Sequence, residues 1–209
     1  METVSAVDVA TGLLRSKDLV RQKMARFGEC AVIVFGLPAS GKSTLLEALH
    51  TTGFGDAVDV QDMRVMGEIP FGSHSDDNLF HFQLFSGAYP SSIRDKLFLA
   101  TSVGVRSVQD AFAGDERFLY ISLSCNFPTK VANLIPRSKE ALFDRYQGDS
   151  LRERMMASTE SFIVGLFPTR KQREAYAQSR PDVYISTSLG NRLSPVQMRR
   201  TLLSAGSNP

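Results

Sequence analysis

The segment AVIVFGLPASGKST, residues 31 to 44, constrains this chain more than any other part of it. AVIVF reads as a buried strand, TLLEAL fits the start of a helix, and between them Gly36, Gly41, Lys42 and Ser43 satisfy the spacing GxxxxGK[ST]. A strand that turns through such a loop into a helix aims successive backbone N–H groups at one point. The helix N-terminus adds about half a unit of positive charge there. Gly36, Leu37, Pro38, Ala39, Ser40, Gly41, Lys42, Ser43 and Thr44 are therefore the candidate binding set for ATP or another nucleoside triphosphate. Lys42 is expected to bridge the β- and γ-phosphates, and the Ser43 hydroxyl to ligate Mg2+.

Apolar runs alternate with helical patterns along the rest of the chain. This predicts strands at 31–35, 57–60, 96–101, 117–123 and 182–187, and helices at 42–50, 103–113, 139–146, 151–166, 169–178 and 195–204. The expected fold is α/β, with three layers and helices on both faces of a mostly parallel five-stranded sheet. Ser138, Ser150 and Ser194 stand at helix N-cap positions, the last followed by Pro195. Val9, Leu13, Val20, Met24 and Phe27 fall at helical spacing, so an extra N-terminal helix precedes the first strand. It serves as scaffold or as a surface for forming an oligomer. The expected division is a helical extension at 1–28 and a main domain at 29–205.

With 209 residues, 43% of them apolar, the chain can bury one substantial core. Its net charge of +2 gives no overall pull toward nucleic acid or an anionic membrane. The apolar runs are too short to span a bilayer and the first residues lack the order of a secretory signal, so the expectation is a soluble, intracellular, cytoplasmic protein without a membrane partner. Cys30 and Cys125 form no CxxC pair and read as free thiols.

GLPASGKSTLLEAL resembles the opening of the small phosphate-loop kinases, the group that includes gluconate kinase, polynucleotide kinase and the nucleoside monophosphate kinases. FLYISLSCN with DRYQGDSLRERM is similar to the strand and lid region of that group, and PDVYISTSLGNRLSPVQMRRTLL to its last strand and helix. The resemblance covers residues 30 to 204. It implies a P-loop NTPase fold, a lid near 136–158, and ATP- and Mg2+-dependent transfer of the γ-phosphoryl group to a small molecule or a nucleic-acid end.

The resemblance also implies roles for particular residues. Lid arginines Arg145, Arg152 and Arg154 would join Lys42 on the transferring group, although each also reads as part of a solvated helix face. VDVQDMR is similar to the DxxR-type segment of polynucleotide-kinase-like proteins and offers Asp62 and Arg64, with Gln61 where that segment carries its aspartate. LFLATS lacks an acid, and LATSVGVR is closer to the CSAL-type segment of gluconate kinases, which puts Thr101, Ser102 and Arg106 toward the acceptor. Gly190, Asn191 and Arg192, in the loop after the last strand, would meet the adenine.

Other classes lack their signatures. No NKxD-like segment reads guanine, no predicted strand ends in paired acids, and His74, Asp76, Asp77 and His81 match no zinc spacing. Two alternatives stay open: a nucleotide-binding structural or regulatory protein without catalysis, and a plain NTPase.

Overall fold

Strand β1 (Cys30–Phe35) is buried at every residue and forms the centre of the sheet in the computed structural model, which describes residues 4–55, 57–58, 63–69, 97–143, 150–188 and 194–204. β3 (Leu97–Ser102) lies on one side of it and β4 (Phe118–Ser124) on the other, with β2 (Met63–Ile69) and β5 (Val183–Ser186) outside them. The order is β2-β3-β1-β4-β5, and every neighbouring pair is parallel. Parallel strands covered on both faces read as apolar runs, as β1 does throughout and β3 does up to its last two residues, Thr101 and Ser102, which are buried polar groups. The fold is therefore α/β, with three layers.

The helices are α1 (Val9–Phe27), α2 (Lys42–Thr52), α3 (Arg106–Ala111), α4 (Phe127–Phe143), α5 (Leu151–Leu166), α6 (Arg170–Gln178) and α7 (Pro195–Ser204). Alternate residues of β1 point to opposite layers. Val32 and Val34 pack in the core that includes Val9, Leu13, Leu45 and Leu202 from α1, α2 and α7. Ala31, Ile33 and Phe35 pack instead with Val105, Val108 and Phe118, with Tyr176 of α6 against them.

The added N-terminal helix is built into the first of these layers. Asp8 caps it by accepting from the Thr11 N–H at 3.0 Å, and Val9, Leu13 and Val20 are buried. Ahead of the helix, Val7 bridges to β5: its N–H donates to Tyr184 O at 2.8 Å, and the Ser186 N–H donates to Val7 O at 2.9 Å. The Lys17 ammonium, buried, donates to Leu202 O in the last turn of α7 at 2.9 Å. Among the described residues no helix is long and apolar enough to cross a membrane.

The structure corrects three sequence expectations. The second strand lies at Met63–Ile69 and not at 57–60: Val58 is buried because it closes a turn after α2, where its carbonyl accepts from the Phe54 N–H at 3.3 Å. β2 also carries an irregularity between Val65 and Gly67, which breaks the alternation that marks a strand. The helix expected at 139–146 begins much earlier, at Phe127, so Ser138 is inside α4 and caps nothing. Asn126 is the true cap, its Oδ1 accepting from the Thr129 N–H at 3.0 Å, with Pro128 in the first turn. Finally, the helix expected at 103–113 is the shorter α3, because Val103, Gly104 and Val105 are buried in the approach to it.

Candidate functional site

β1 ends at Phe35 and α2 begins at Lys42, so the loop between them leaves the C-terminal end of the central strand. In open α/β sheets, that end next to the point where strand order reverses is where ligands bind. The Gly36 N–H donates to Ser102 O at 3.1 Å, which ties the start of the loop to β3. A side chain at Gly36 would put its Cβ 2.4 Å from Leu123 O, so the loop can pass there only as glycine. At the other end, Gly41 adopts φ 101 as the N-cap of α2, and a Cβ built on it meets nothing within 4 Å. Among the described residues nothing crowds this end of α2, whose first-turn N–H groups have no partner within the helix, as in helix N-termini that accept anions.

Lys42 folds back over this loop. Its ammonium donates to Gly36 O at 2.6 Å and to Leu37 O at 3.3 Å. Leu37 O also accepts from the Ser40 N–H at 3.2 Å, so the loop carries a turn of its own. Neighbouring strands grip the crown. Thr187, just past β5, donates its hydroxyl to Ser40 O and to Ser124 O, both at 2.9 Å. Asn133 of α4 donates to Ala39 O at 2.8 Å, and the Cys125 thiol approaches the same oxygen at 3.6 Å. Burial pushes the Cys125 thiol up, while Lys130 and Lys42 pull it the other way.

Beside the loop lies a cavity of about 20 Å³ whose lining includes Gly41, Thr44, Thr129, Asn133 and Thr187, with Val9 and Leu13 of α1 as an apolar wall. Thr129 Oγ1 is buried there without a hydrogen-bond partner among the described residues. A hollow of about 900 Å³ lies on the opposite face of the sheet, between Phe35, Tyr176 and Tyr184. Phe35 points into that layer, and the phosphate loop starts one residue later.

The sequence candidates do not all converge. Gly36 through Thr44 form one continuous site, with Ser43 exposed in the first turn of α2. Arg64 lies in register with Phe98 and, through it, Ala31. That is the N-terminal end of the sheet, four residues or about 13 Å below the level of Phe35 at 3.3 Å per residue. The backbone of Arg64 therefore lies away from the loop end of the sheet. Thr101 and Ser102 are buried, and the Ser102 hydroxyl donates to Gly104 O at 2.8 Å. Arg106 pairs with Asp110 at 2.7 Å. Asp62, Arg145, Gly190, Asn191 and Arg192 lie outside the described residues.

α4 and α5 form an antiparallel hairpin. Lys130 donates to Leu166 O at 2.8 Å near the phosphate loop, and Ser158 donates to Ser138 O at 2.9 Å further out. Arg152 and Arg154 therefore lie toward the distal end, roughly 13–17 Å beyond the level of Asn133 at 1.5 Å per residue. Arg152 is exposed, and Arg154 Nε is buried without a partner among the described residues.

Three functional candidates escaped the sequence reading. Glu68 sits in register with Thr101 and Val34, near the loop end of β2, and emerges once the strand is placed correctly. Lys130 is the α4 cation nearest the loop's holder, Cys125, and burial lowers its pKa. Asn133 reaches the loop from a position 94 residues away. Among the described residues no group of three His, Cys, Asp or Glu gathers to hold a metal ion, and Ser43 is exposed in the first turn of α2.

No protein-family model matches the chain. No curated protein matches it either. Among solved structures, it is similar to a protein from Pseudomonas aeruginosa PA01 provisionally named polyphosphate kinase 2, at 12% identity and a TM-score of 0.38. That match covers 96% of this chain and 47% of the other, so the chain spans about half the length of the structure it matches.

Proposed function

We propose that this chain binds a nucleoside triphosphate with magnesium at Gly36–Thr44 and transfers the γ-phosphoryl group to the hydroxyl or phosphate of an acceptor. The observation that carries this reading is the cradle at the N-terminus of α2: Gly41 open to space, and Lys42 curled on the loop's own carbonyls. An arriving triphosphate offers the ammonium stronger, charged acceptors than Gly36 O and Leu37 O. Lys42 then exchanges carbonyls for phosphate oxygens by rotating its side chain, with the loop backbone already set. Magnesium, when bound, would further neutralise the β- and γ-phosphates, and the Ser43 hydroxyl would be the ligand from this loop. Arg152 and Arg154 act on the transferring group only if the α4–α5 hairpin swings toward the loop.

The distal placement of those arginines, with the absence of an acid in β3 (LFLATS), favours a second reading: triphosphate binding without transfer. One experiment separates the two. The chain is incubated with γ-labelled ATP and Mg2+ against sugars, nucleosides, nucleotides and 5′-hydroxyl oligonucleotides, and label is followed into acceptor or free phosphate. Label in an acceptor is the expected result; free phosphate alone points to an NTPase, and neither, with binding intact, to a binder. Titration calorimetry on Lys42→Ala tests the common premise. Loss of a charged hydrogen bond worth about 1.5–3 kcal/mol weakens ATP binding roughly 10- to 150-fold. Unchanged affinity would remove the phosphate loop from the function.

A further inference from the structure

Ala39 is a non-glycine residue held at φ 63, the left-handed region, at the crown of the phosphate loop. Alanine does not rest there by itself, because its Cβ crowds the following carbonyl. What holds it comes from outside the loop. Asn133 Nδ2 donates to Ala39 O at 2.8 Å from α4, and Cys125 Sγ approaches the same oxygen at 3.6 Å from the end of β4. A carbonyl held against α4 cannot turn into the cradle, where its partial negative charge would face the phosphates. The same helix is tied to α5 through Lys130 and Leu166 O and through Ser158 and Ser138 O. Gly165 is also packed closely on Leu134, one residue after Asn133. A shift of the hairpin therefore reaches Ala39, and a change in loop shape reaches the hairpin.

We propose that Asn133 is a positioning residue of the triphosphate site: its amide fixes the Ala39 peptide in the anion-accepting orientation and couples the α4–α5 hairpin to occupancy of the loop. This rests on the proposed binding of a nucleoside triphosphate. Cys125 is the weaker second holder, since a thiol is a poor donor and its contact is long. Asn133 carries the positioning because its amide is the stronger donor and its helix is the one joined to α5.

The test compares the full-length parent with Asn133→Leu, which keeps side-chain size and removes the donor, and with Asn133→Gln, which keeps the amide. Titration with ATP and Mg2+ is expected to show binding about three- to tenfold weaker in the leucine variant, as loss of one hydrogen bond implies, with partial recovery in the glutamine variant. Hydrogen exchange is expected to show nucleotide-dependent protection across 151–166 in the parent and its loss in the leucine variant. Equal affinity and equal hairpin protection in parent and leucine variant would overturn the positioning role. Should the leucine variant fail to fold, Asn133→Ser, too short to reach Ala39, decides by the same two readouts. A parent that binds no triphosphate overturns the proposed function itself, whereas a binding parent with indifferent variants overturns only this inference.

Discussion

Gly36 is the residue where sequence, packing and ligand geometry meet most tightly. A methyl group there would stand 2.4 Å from Leu123 O and 2.7 Å from Ser40 Oγ, and the first of these is backbone in the neighbouring strand. The sheet cannot yield without shifting β4, so Gly36→Ala overpacks a closed site at a cost of about 1–3 kcal/mol. Thermal denaturation should show a midpoint lower by several degrees, and titration a loss of ATP binding; a variant that melts and binds like the parent would mean that the loop has slack. Residue roles of this kind are legible in the sequence because they are local, with strand, glycine and helix following within a few positions. Asn133 and Lys130 leave no such mark. Each is an ordinary polar residue in a helical pattern until the fold brings it beside Ala39 or Leu166.

At the scale of elements, legibility followed the quality of the punctuation. α5 begins at Leu151 as expected, because Ser150 and Glu153 form a reciprocal capping box: the Glu153 N–H donates to Ser150 Oγ at 3.3 Å, and the Ser150 N–H to Glu153 Oε2 at 2.8 Å. The start of α4 is hard to read because Ser138 imitates an N-cap from inside the helix, while the real signals, Asn126 and Pro128, stand twelve and ten residues before it. β2 is hard to place because a bulged outer strand lacks the unbroken apolar run of β1, while Val58 imitates a strand from inside a turn. The capping box has a pH consequence. Hydrogen bonds from Ser150 lower the Glu153 pKa below its ordinary 4.5, so its contribution is complete above that value and is lost as pH falls through the lower, folded-state value. Exchange protection of the first-turn amides of α5 should decline in acid below about pH 4.5 in the parent and stay flat in Glu153→Gln, which keeps an acceptor that does not titrate. Parallel profiles would assign the acid response to another group.

For the molecule as a whole, the N-terminal helix decides whether the rest stands alone. Val9, Leu13 and Val20 are essentially fully buried, and at about 1.5–3 kcal/mol for each such side chain they contribute roughly 5–9 kcal/mol. That equals much of the 5–15 kcal/mol by which a domain is normally stable. Deleting residues 1–28 should therefore abolish cooperative thermal unfolding, and a truncated chain that melts sharply and still binds ATP would make the helix a dispensable extension. The short bridge at Val7 has a different effect, on solubility. A parallel sheet has two rims with unsatisfied peptide groups, and a bare rim is a template on which another chain can add a strand. Val7 occupies the β5 rim at Tyr184 and Ser186, and the Val65–Gly67 irregularity disturbs the ladder of β2 at the other. Losing the first seven residues would thus uncover one rim while leaving the Asp8 cap of α1 and the phosphate loop in place, and the resulting fault would be concentration-dependent self-association of otherwise folded chains.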